Sequence, residues 1–399
     1  MKLTKLMLSA CVAALALVSC QKEEGPSLKG EYKSVEIEIN NLFMTKSAGE
    51  TIADGTTVTL KNFRIYLTDG TNFYWDATNE KGEVLSEAAY QFTAKPSAAI
   101  EFHFVNPSVN KVVAVANLTD EQYAGIKTYA DIKALKLDIA AQQNPDALAL
   151  FAEDALEATG GQHIPEGDSH KPGEALITNV YKADLTFTPR VARLELDGFA
   201  VGFNAGEKAR YNKISIHQVA FNNYYPATSL SNGTEEGTLV DCKAENPASA
   251  VAYLTGNTGN EWYSDKTSLE FDRPAGMTAD TWVEQELANT FYYHFFPVAT
   301  ATPEAEGYPE LMFQLSTVDT DNAVSSTYIY TKNFKKGAEV IAAFEEGKIY
   351  RMNFTASVES DNGDGDVPVN EDDIDQLGRC LDITVTVDDW NVILVTPEF

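Results

Sequence analysis

The first half of the chain contains stretches in which hydrophobic and polar residues alternate, as they do in β-strands that bury one face. The first stretch is 34–42, in which the apolar residues that share a face are Val35, Ile37 and Ile39. Further stretches that predict strands are 58–68, 100–104 and the continuously apolar run 112–116, which is typical of a strand buried on both faces. The pattern therefore predicts a mainly β fold.

Two short helices are the exception in this half. Thr119 and Gln122 have the spacing of a capping box, and 129–139 carries apolar residues at helical spacing. Glycines and prolines interrupt every periodicity from 142 to 174. This break predicts a long surface loop and a domain boundary near 177.

The order of elements recurs after this boundary. A strand kinked by proline at 185–196 precedes a glycine-bearing loop at 197–207, and an amphipathic strand at 214–221 follows. This weak internal repeat predicts two related β-sandwich domains, at 34–176 and 177–399, with a short helical insertion in the first. Later elements are predicted as strands at 291–296, 311–315, 327–330, 349–358 and 381–387, and as a short helix at 280–288.

The N-terminus has the form of a lipoprotein signal. Lys2 and Lys5 precede an apolar core that is too short to span a bilayer, and small residues lead to Cys20, the predicted site of lipidation. The signal is thus 1–20, and 21–33 is a polar tether. The acidic tetrapeptide after the cysteine resembles the export tag of surface lipoproteins of the Bacteroidetes, which implies display on the outer face of the outer membrane. The alternative is an ordinary signal peptide with an accidental cysteine.

Composition narrows the possible partners and the redox chemistry. The formal net charge of −29 is spread along the chain, which predicts that nucleic acid is not a partner. Hydrophobic content of 44% is that of a globular protein. Apart from Cys11 and Cys20 in the signal, Cys242 and Cys380 are the only cysteines, so they could form one disulfide or remain two buried thiols.

Three motifs in the second half carry a family resemblance. They are Thr188-Pro189-Arg190-Val191-Ala192-Arg193-Leu194-Glu195-Leu196, then Gly347-Lys348-Ile349-Tyr350-Arg351-Met352-Asn353-Phe354, then Cys380-Leu381-Asp382-Ile383-Thr384-Val385-Thr386-Val387 ending in Trp390. In this order they resemble the fimbrillins of type V pili of Bacteroidales, the major fimbrial subunit and Mfa-like lipoproteins. With the lipoprotein signal and the helix pair after 112–116, the resemblance covers most of the chain.

The resemblance implies two transthyretin-like β-sandwiches and a route of assembly. In that family a trypsin-like protease removes the first strand with its lipid, and an extended segment of another subunit fills the groove by strand addition. Carried over to this sequence, the removed strand is 34–42 and the cut lies between Lys46 and Ser47. Family members usually have arginine at the cut, so Lys46 is a departure. The alternative is an intact loop between two strands.

The last residues would supply the inserted strand. Val392 and Leu394 lie on one face of an extended segment, and Ile393 and Val395 lie on the other. Such an apolar end needs to be covered. It could instead pair as the last strand of its own domain, in which case the protein would be a tip or anchor subunit.

The sequence gives weaker indications of metal binding and catalysis. The acidic stretch 360–371 follows a calcium loop only in part, since Ser360 and Pro368 occupy positions that normally hold ligands. The histidines have no metal-binding spacing, and His103 and His294 lie in aromatic strands where packed histidines are usual. No nucleophile elbow, zinc-protease motif or P-loop is present. We therefore predict no enzyme activity, no catalytic residue, no metal and no cofactor.

The predicted function is that of a structural pilus subunit that supports adhesion. Its partners would be other pilus subunits, the outer membrane through the lipid before processing, and a host or bacterial surface ligand. Its location would be the cell surface and, after processing, the fimbrium. The alternative from another class is a surface lipoprotein that binds glycan through aromatic side chains, the candidates being Tyr74, Trp75, Trp262 and Tyr263.

Overall fold

The structure is a computed structural model that describes residues 32–40, 57–94, 96–163, 178–233, 235–241, 261–298, 306–331, 334–336, 339–357, 381–389 and 391–393. The strands up to residue 163 are β1 (Lys33–Asn40), β2 (Thr57–Thr59), β3 (Phe63–Thr68), β4 (Phe73–Tyr74), β5 (Gln91–Phe92), β6 (Ile100–Val105), β7 (Lys111–Ala116), β8 (Lys136–Asp138), β9 (Leu150–Ala155) and β10 (Glu157–His163). The helices are α1 (Asp120–Gly125) and α2 (Tyr129–Ala134).

The remaining strands are β11 (Thr178–Thr186), β12 (Thr188–Pro189), β13 (Ala192–Phe203), β14 (Tyr211–Asn222), β15 (Ala227–Ser229), β16 (Glu235–Glu236), β17 (Ser264–Asp272), β18 (Thr281–Phe295), β19 (Glu310–Asp319), β20 (Val324–Tyr330), β21 (Lys335–Lys336), β22 (Glu339–Val340), β23 (Lys348–Ser357), β24 (Leu381–Asp389) and β25 (Asn391–Ile393). Short 3₁₀ helices span Glu87–Tyr90, Ile139–Gln142, Pro145–Ala147 and Gly206–Lys208. The predicted mainly β fold is confirmed.

The first half forms a sandwich of two sheets. One sheet has the order β10-β11-β1-β6, and the other has the order β12-β9-β7-β3-β4 with β5 also on β3. Buried aromatic side chains fill the space between them: Phe63 of β3 contacts Phe187 at 5.6 Å between ring centroids, and Tyr90 stacks on Phe102 of β6 at 4.8 Å. The apolar run that forms β7 is buried, as predicted for a strand covered on both faces.

The second half repeats this architecture. Its sheets have the orders β18-β13-β23-β24-β21-β22 and β17-β14-β19-β20. Phe221 of β14 lies between the layers and contacts Tyr293 and Phe295 of β18, at 5.7 and 5.4 Å between centroids. Phe199 of β13 meets Phe313 of β19 edge to face at 6.1 Å. Two sandwiches, each with an aromatic core, are thus present, with the helices inserted in the first.

Hydrogen bonds join the two sandwiches. The segment after α2 forms β8, which pairs with β15 of the second half in a three-stranded sheet that also contains β16. The side-chain amide of Gln143 donates to the carbonyl oxygen of His294 at 2.9 Å and accepts from its backbone N–H at 3.1 Å. The helical insertion therefore connects the halves.

The chain crosses between sandwiches later than the predicted boundary at 177. All nine residues of β11 lie beyond that position, yet β11 pairs with β1 and β10 of the first sandwich. β12 pairs with β9, also in the first sandwich, and only β13 enters the second. Pro189 ends the short β12, because proline cannot donate to a continuing ladder. The kinked strand predicted at 185–196 is therefore three strands in different sheets.

Three other expectations differ from the structure. The helix predicted at 280–288 is wrong, because residues 281–288 belong to β18, and 281–286 pair with β13. The loop predicted at 142–174 is wrong in its first part, which contains β9 and β10. β10 has no apolar alternation, and most of its residues are exposed at the edge of a sheet. The strand predicted at 58–68 is split into β2 and β3.

The capping predicted for the first helix is confirmed. The Thr119 side chain accepts from the Gln122 backbone N–H, and the Gln122 side chain accepts in return from Thr119 N–H. α2 has the same device in Thr128 and Asp131, and it ends at Ala134 rather than at 139. In the part of the chain that the structure describes, no helix is long and apolar enough to span a membrane.

Candidate functional site

β1 is the candidate functional element, and it occupies the interior of a sheet. It pairs in parallel with β11 over all eight residues and antiparallel with β6 on its other side. Its inward side chains, Val35, Ile37 and Ile39, are 1%, 0% and 8% exposed. The alternation of the sequence therefore places an apolar row in the first sandwich, as predicted.

The beginning of β1 is fixed by polar contacts. Lys33 Nζ donates to the carbonyl oxygen of Val109 at 2.5 Å and lies 4.9 Å from the centroid of the Tyr181 ring. Partial burial lowers the pKa of Lys33. Ser34 Oγ lies 3.1 Å from His103 Nδ1 and 2.5 Å from Thr178 Oγ1. These contacts tie one end of β1 to both of its neighbours.

The outer face of β1 is charged and exposed. Glu38 pairs with Lys182 of β11 at 3.2 Å, and Lys182 also contacts Asp184 at 3.2 Å. The hydrogen bond that Lys182 donates to Glu38 is the main cause of the raised pKa of Lys182. Because solvent screens such pairs, they contribute little to the stability of the strand. The buried inner row is what holds β1.

The other predicted processing residues lie outside the described residues. These are Cys20, Lys46 and Ser47, together with Leu394 and Val395 of the expected donor strand. The acidic stretch 360–371, Cys242 and Cys380 are also outside them. Lipidation, cleavage and disulfide pairing therefore stay predictions.

The start of the expected donor strand is described, and it pairs within its own chain. Val392 and Ile393 of β25 lie opposite Val58 and Thr59 of β2 in a parallel two-stranded sheet. β2 belongs to the first half of the sequence, so the pairing is not the one expected for a last strand of the second domain. Among the described residues, three residue pairs form this ladder.

The three motif stretches come together in one sheet. β23 pairs in parallel with β13 and antiparallel with β24, so residues 192–196, 348–354 and 381–387 of the three motifs lie on three adjacent strands. Glu195 bridges two arginines: its Oε1 is 2.7 Å from Arg193 Nη2, and its Oε2 is 2.9 Å from Arg351 Nε. Arg193 and Glu195 are both 2% exposed. The motif charges thus form an ion cluster that is buried at Arg193 and Glu195 and partly exposed at Arg351, which spacing alone could not reveal.

Arg190 connects the segment between the sandwiches to two loops. Its Nη1 lies 2.5 Å from Glu346 Oε2, and it donates to the carbonyl oxygens of Leu230 and Ser231 at 2.5 and 2.9 Å. Its guanidinium also lies 4.8 Å from the ring centroid of Phe151 in β9. Burial raises the pKa of Glu346, and the charge of Arg190 opposes this effect. Arg190 therefore positions the second sandwich against the first.

The aromatic residues considered for glycan binding pack against the core. Trp75 contacts Tyr90 edge to face at 4.9 Å, and Trp262 contacts Tyr224 in the same way at 5.0 Å. The Tyr74 hydroxyl donates to Asp69 at 2.7 Å, and Tyr263 meets Trp262 at 5.6 Å. All four rings are only partly buried, but each has a packing role in its own sandwich.

The histidines predicted to be packed are buried. His294 is 0% exposed, and its Nδ1 lies 2.6 Å from the carbonyl oxygen of Gln142. Burial, followed by the nearby positive charge of Arg193, lowers the pKa of His294 to about 3. His103 is 3% exposed. Together with Glu80 and Glu101 it forms the group of described side chains that could hold a metal ion.

Comparisons with known proteins identify the fold. No family model matches the chain, and no curated protein matches it by sequence. Among solved structures, a proposed cell adhesion protein from Parabacteroides distasonis has a TM-score of 0.51 and 12% identity, covering 92% of this chain and 100% of that chain. A fimbrilin from Porphyromonas gingivalis has a TM-score of 0.48 and 11% identity, covering 92% and 99%. A further proposed cell adhesion protein, from Bacteroides eggerthii, has a TM-score of 0.47 and 14% identity, covering 92% and 98%.

The chain therefore has the β-sandwich fold of the proposed cell adhesion protein from Parabacteroides distasonis over nearly its whole length. The solved structures that it resembles are described as proposed cell adhesion proteins and a fimbrilin.

Proposed function

We propose that this chain is a structural subunit of a cell-surface pilus that supports adhesion. It is exported as a lipoprotein through Cys20, cut between Lys46 and Ser47, and polymerised by donor-strand exchange. It has no catalytic role and needs no cofactor. Its partners are other pilus subunits and, before cleavage, the outer membrane. The observation that carries the proposal is the interior position of β1 between β6 and β11.

Removal of an interior strand leaves a groove that has a hydrogen-bonding edge on each side, and a replacement strand must fill it. Loss of β1 would leave backbone groups of β6 and β11 without partners and would uncover the slots of Val35, Ile37 and Ile39. Covering an apolar side chain of this size is worth about 1.5–3 kcal/mol. The emptied groove therefore favours any extended apolar strand that can fill it.

Strand direction gives the exchange a driving force. β1 is parallel to β11 along its full length, and parallel pairs are slightly less stable per residue than antiparallel ones. A strand that enters in the opposite direction would be antiparallel to β11 and parallel to β6. Because β1 has eight residue pairs with β11 and four with β6, the longer of the two ladders would then be the antiparallel one. We infer that the incoming donor runs antiparallel to β11.

The C-terminal segment is the proposed donor. The segment 391–399 has nine residues and β1 has eight, so the two match in length. In the described part of the chain, β25 forms three residue pairs with β2, in a sheet of these two strands. A two-stranded sheet is marginal by itself, so it can release the segment at low cost.

The same pairing supports a second candidate. If β25 remains on β2 in the cut protein, the chain can accept a donor but cannot supply one. It would then be a tip or anchor subunit instead of a shaft subunit. Glycan binding receives less support, because Trp75 and Trp262 pack against neighbouring aromatic rings.

The experiment uses the unlipidated chain 21–399. Brief trypsin digestion should cut after Lys46, which mass analysis identifies, and the product should form a ladder in unheated gel electrophoresis that boiling collapses. Lys46→Gln should prevent both, and the matched control Lys81→Gln, in an exposed turn, should prevent neither. A ladder that forms without a cut would contradict the proposal.

Deletion of residues 391–399 separates the two candidates. If the shaft proposal holds, the cut deletion variant stays monomeric, and a synthetic peptide of the deleted sequence binds it. If the cut full-length chain stays monomeric but binds the same peptide, the tip or anchor role is correct. If it also fails to bind the peptide, the groove accepts no donor and both roles are wrong.

A further inference from the structure

Three side chains at the outer edge of the first sandwich converge on one point. Glu101 and His103 lie on the same face of β6, two residues apart, and Glu80 reaches them from the turn at 79–83. One carboxylate oxygen from each glutamate and one ring nitrogen of His103 all lie within 4.8 Å of one another. The two backbone bonds between Thr78 and His103, at 2.7 and 2.9 Å, hold this turn against β6.

His103 is prepared to accept a ligand at Nε2. The side chain is 4% exposed, and Nε2 has no hydrogen-bond partner, although Glu101 Oε2 is 3.7 Å away. At the other ring nitrogen, Nδ1 lies 3.1 Å from Ser34 Oγ, which in turn lies 2.5 Å from Thr178 Oγ1. If Nδ1–H donates to Ser34 and the Ser34 hydroxyl donates to Thr178, the lone pair of Nε2 points outward.

A second imidazole packs against the ring of His103. The His163 ring stacks on the His103 ring, with centroids 4.1 Å apart and planes at 20°. A buried polar nitrogen without a partner is costly, so its retention beside two carboxylates needs an explanation.

We propose that Glu80, Glu101 and Nε2 of His103 bind a divalent transition metal ion of the Zn²⁺ class. Two carboxylates balance the charge of the ion, and the imidazole selects Zn²⁺ over Ca²⁺ and Mg²⁺, which prefer oxygen ligands. Zinc bonds to nitrogen and oxygen are about 2.0–2.2 Å long, so ligand atoms on one ion are at most about 4.4 Å apart. Glu80 and Glu101 are exposed and can close the remaining distance by rotation. Water would complete the coordination.

Ser34 is the positioning residue of this site. A histidine that binds metal usually donates its other N–H to a neighbouring acceptor, which fixes the ring and its tautomer. Here that acceptor belongs to β1, so the ion would link the 79–83 turn, β6 and, through His103, the first strand. Metal binding and retention of β1 should therefore support each other.

The test is a calorimetric titration of the unlipidated chain 21–399 with ZnCl₂ at pH 7, after removal of metals with EDTA. We expect saturable binding at one site. Glu80→Gln and Glu101→Gln should each weaken it at least about tenfold, and Ser34→Ala should weaken it about 10–100-fold. Both glutamates are exposed, so their variants should fold. Glu121→Gln, an exposed change in α1, is the matched control and should bind Zn²⁺ as the unmodified chain does.

Three results would overturn the proposal. One is no saturable Zn²⁺ binding up to about 1 mM, far above the range of built zinc sites. Another is binding that is unchanged in both glutamate variants, since the ion would then sit elsewhere. The third is binding of CaCl₂ in preference to ZnCl₂ at the same glutamates, which would show that His103 is not a ligand.

Discussion

Ile37 of β1 lies directly opposite Ala183 of β11 in a parallel strand pair, and both side chains are buried. On its other side Ile37 faces Ile100 of β6. β1, the strand that would be removed under the pilus proposal, is thus hydrogen-bonded along both edges and packed against the core. The proposal therefore requires both a cut in the chain and an incoming strand before β1 can leave.

Replacement of Ile37 by alanine should weaken the packing of β1 against the core of the first sandwich. We expect Ile37→Ala to lower the free energy of unfolding of the uncut chain by about 2–5 kcal/mol, because it leaves a cavity in a close-packed core. Urea unfolding measures this change. Glu38→Gln changes an exposed residue of the same strand and should stay within about 0.5 kcal/mol. Equal effects of the two variants would mean that the inner face does not anchor β1.

Arg190 should be coupled to Glu346. Arg190→Met leaves the Glu346 carboxylate, which is 25% exposed, without its cation, so we expect a loss of about 2–3 kcal/mol, below the range for fully buried pairs. The double variant with Glu346→Gln should lose less than the sum of the two single changes. Lys213→Gln, which breaks the more exposed pair with Glu270, is the control and should cost less than about 1 kcal/mol. Additive losses would contradict the coupling.

His294 should make the protein sensitive to acid. Its pKa in the folded protein is lowered to about 3, whereas an unfolded histidine titrates near 6.5. Between these values the unfolded chain binds the additional proton, so stability must decrease as the pH falls below about 6.5, by up to about 1.4 kcal/mol per pH unit.

The measurement is urea unfolding at several pH values from 7 to 4. His294→Asn, whose amide can still donate to Gln142, should show a shallower loss of stability with acid even if it is less stable at pH 7. His217→Gln, at an exposed position, should keep the original slope. An unchanged slope in His294→Asn would show that another group carries the acid sensitivity.

The backbone conformation at Gly347, in the second motif, favours glycine. Its φ is +72°, a conformation that other residues rarely adopt, and an added Cβ would meet Thr188 Cγ2 at 3.2 Å. We expect Gly347→Ala to cost about 1–2 kcal/mol in thermal or urea unfolding. Gly125→Ala is the control, because Gly125 has no positive φ and open space around it, so the change should be neutral or stabilising. A neutral Gly347→Ala would refute the steric argument.

Local patterns were sufficient where a strand or helix buries one regular face. The alternation around Ile37 predicted β1, and the Thr119 and Gln122 pair predicted the start of α1. These signals depend on neighbours in sequence. They do not depend on which distant strand completes the sheet, so the elements predicted from them agree with the structure.

Pairing between distant segments could not be predicted in the same way. β11 looks like the start of a second domain, but its partner is β1, some 145 residues earlier. The stretch 280–288 has apolar and acidic residues that fit a helix, and hydrogen bonding to β13 makes it a strand. Tertiary contacts override such local preferences.

The candidate metal site was hidden for the same reason. His103 was expected to be a packed residue, and its burial is confirmed. Nothing in its spacing indicates Glu80, which lies 23 residues earlier and reaches His103 only because the turn at 79–83 folds onto β6.

The central claim is that β1 leaves and a donor replaces it. The most direct measurement is peptide mass spectrometry of the polymers that form after cleavage. We expect chains that begin at Ser47, with residues 33–40 absent from the polymer and recovered in the released fraction. Polymers that retain residues 33–40 in equal amount with the rest of the chain would contradict the account.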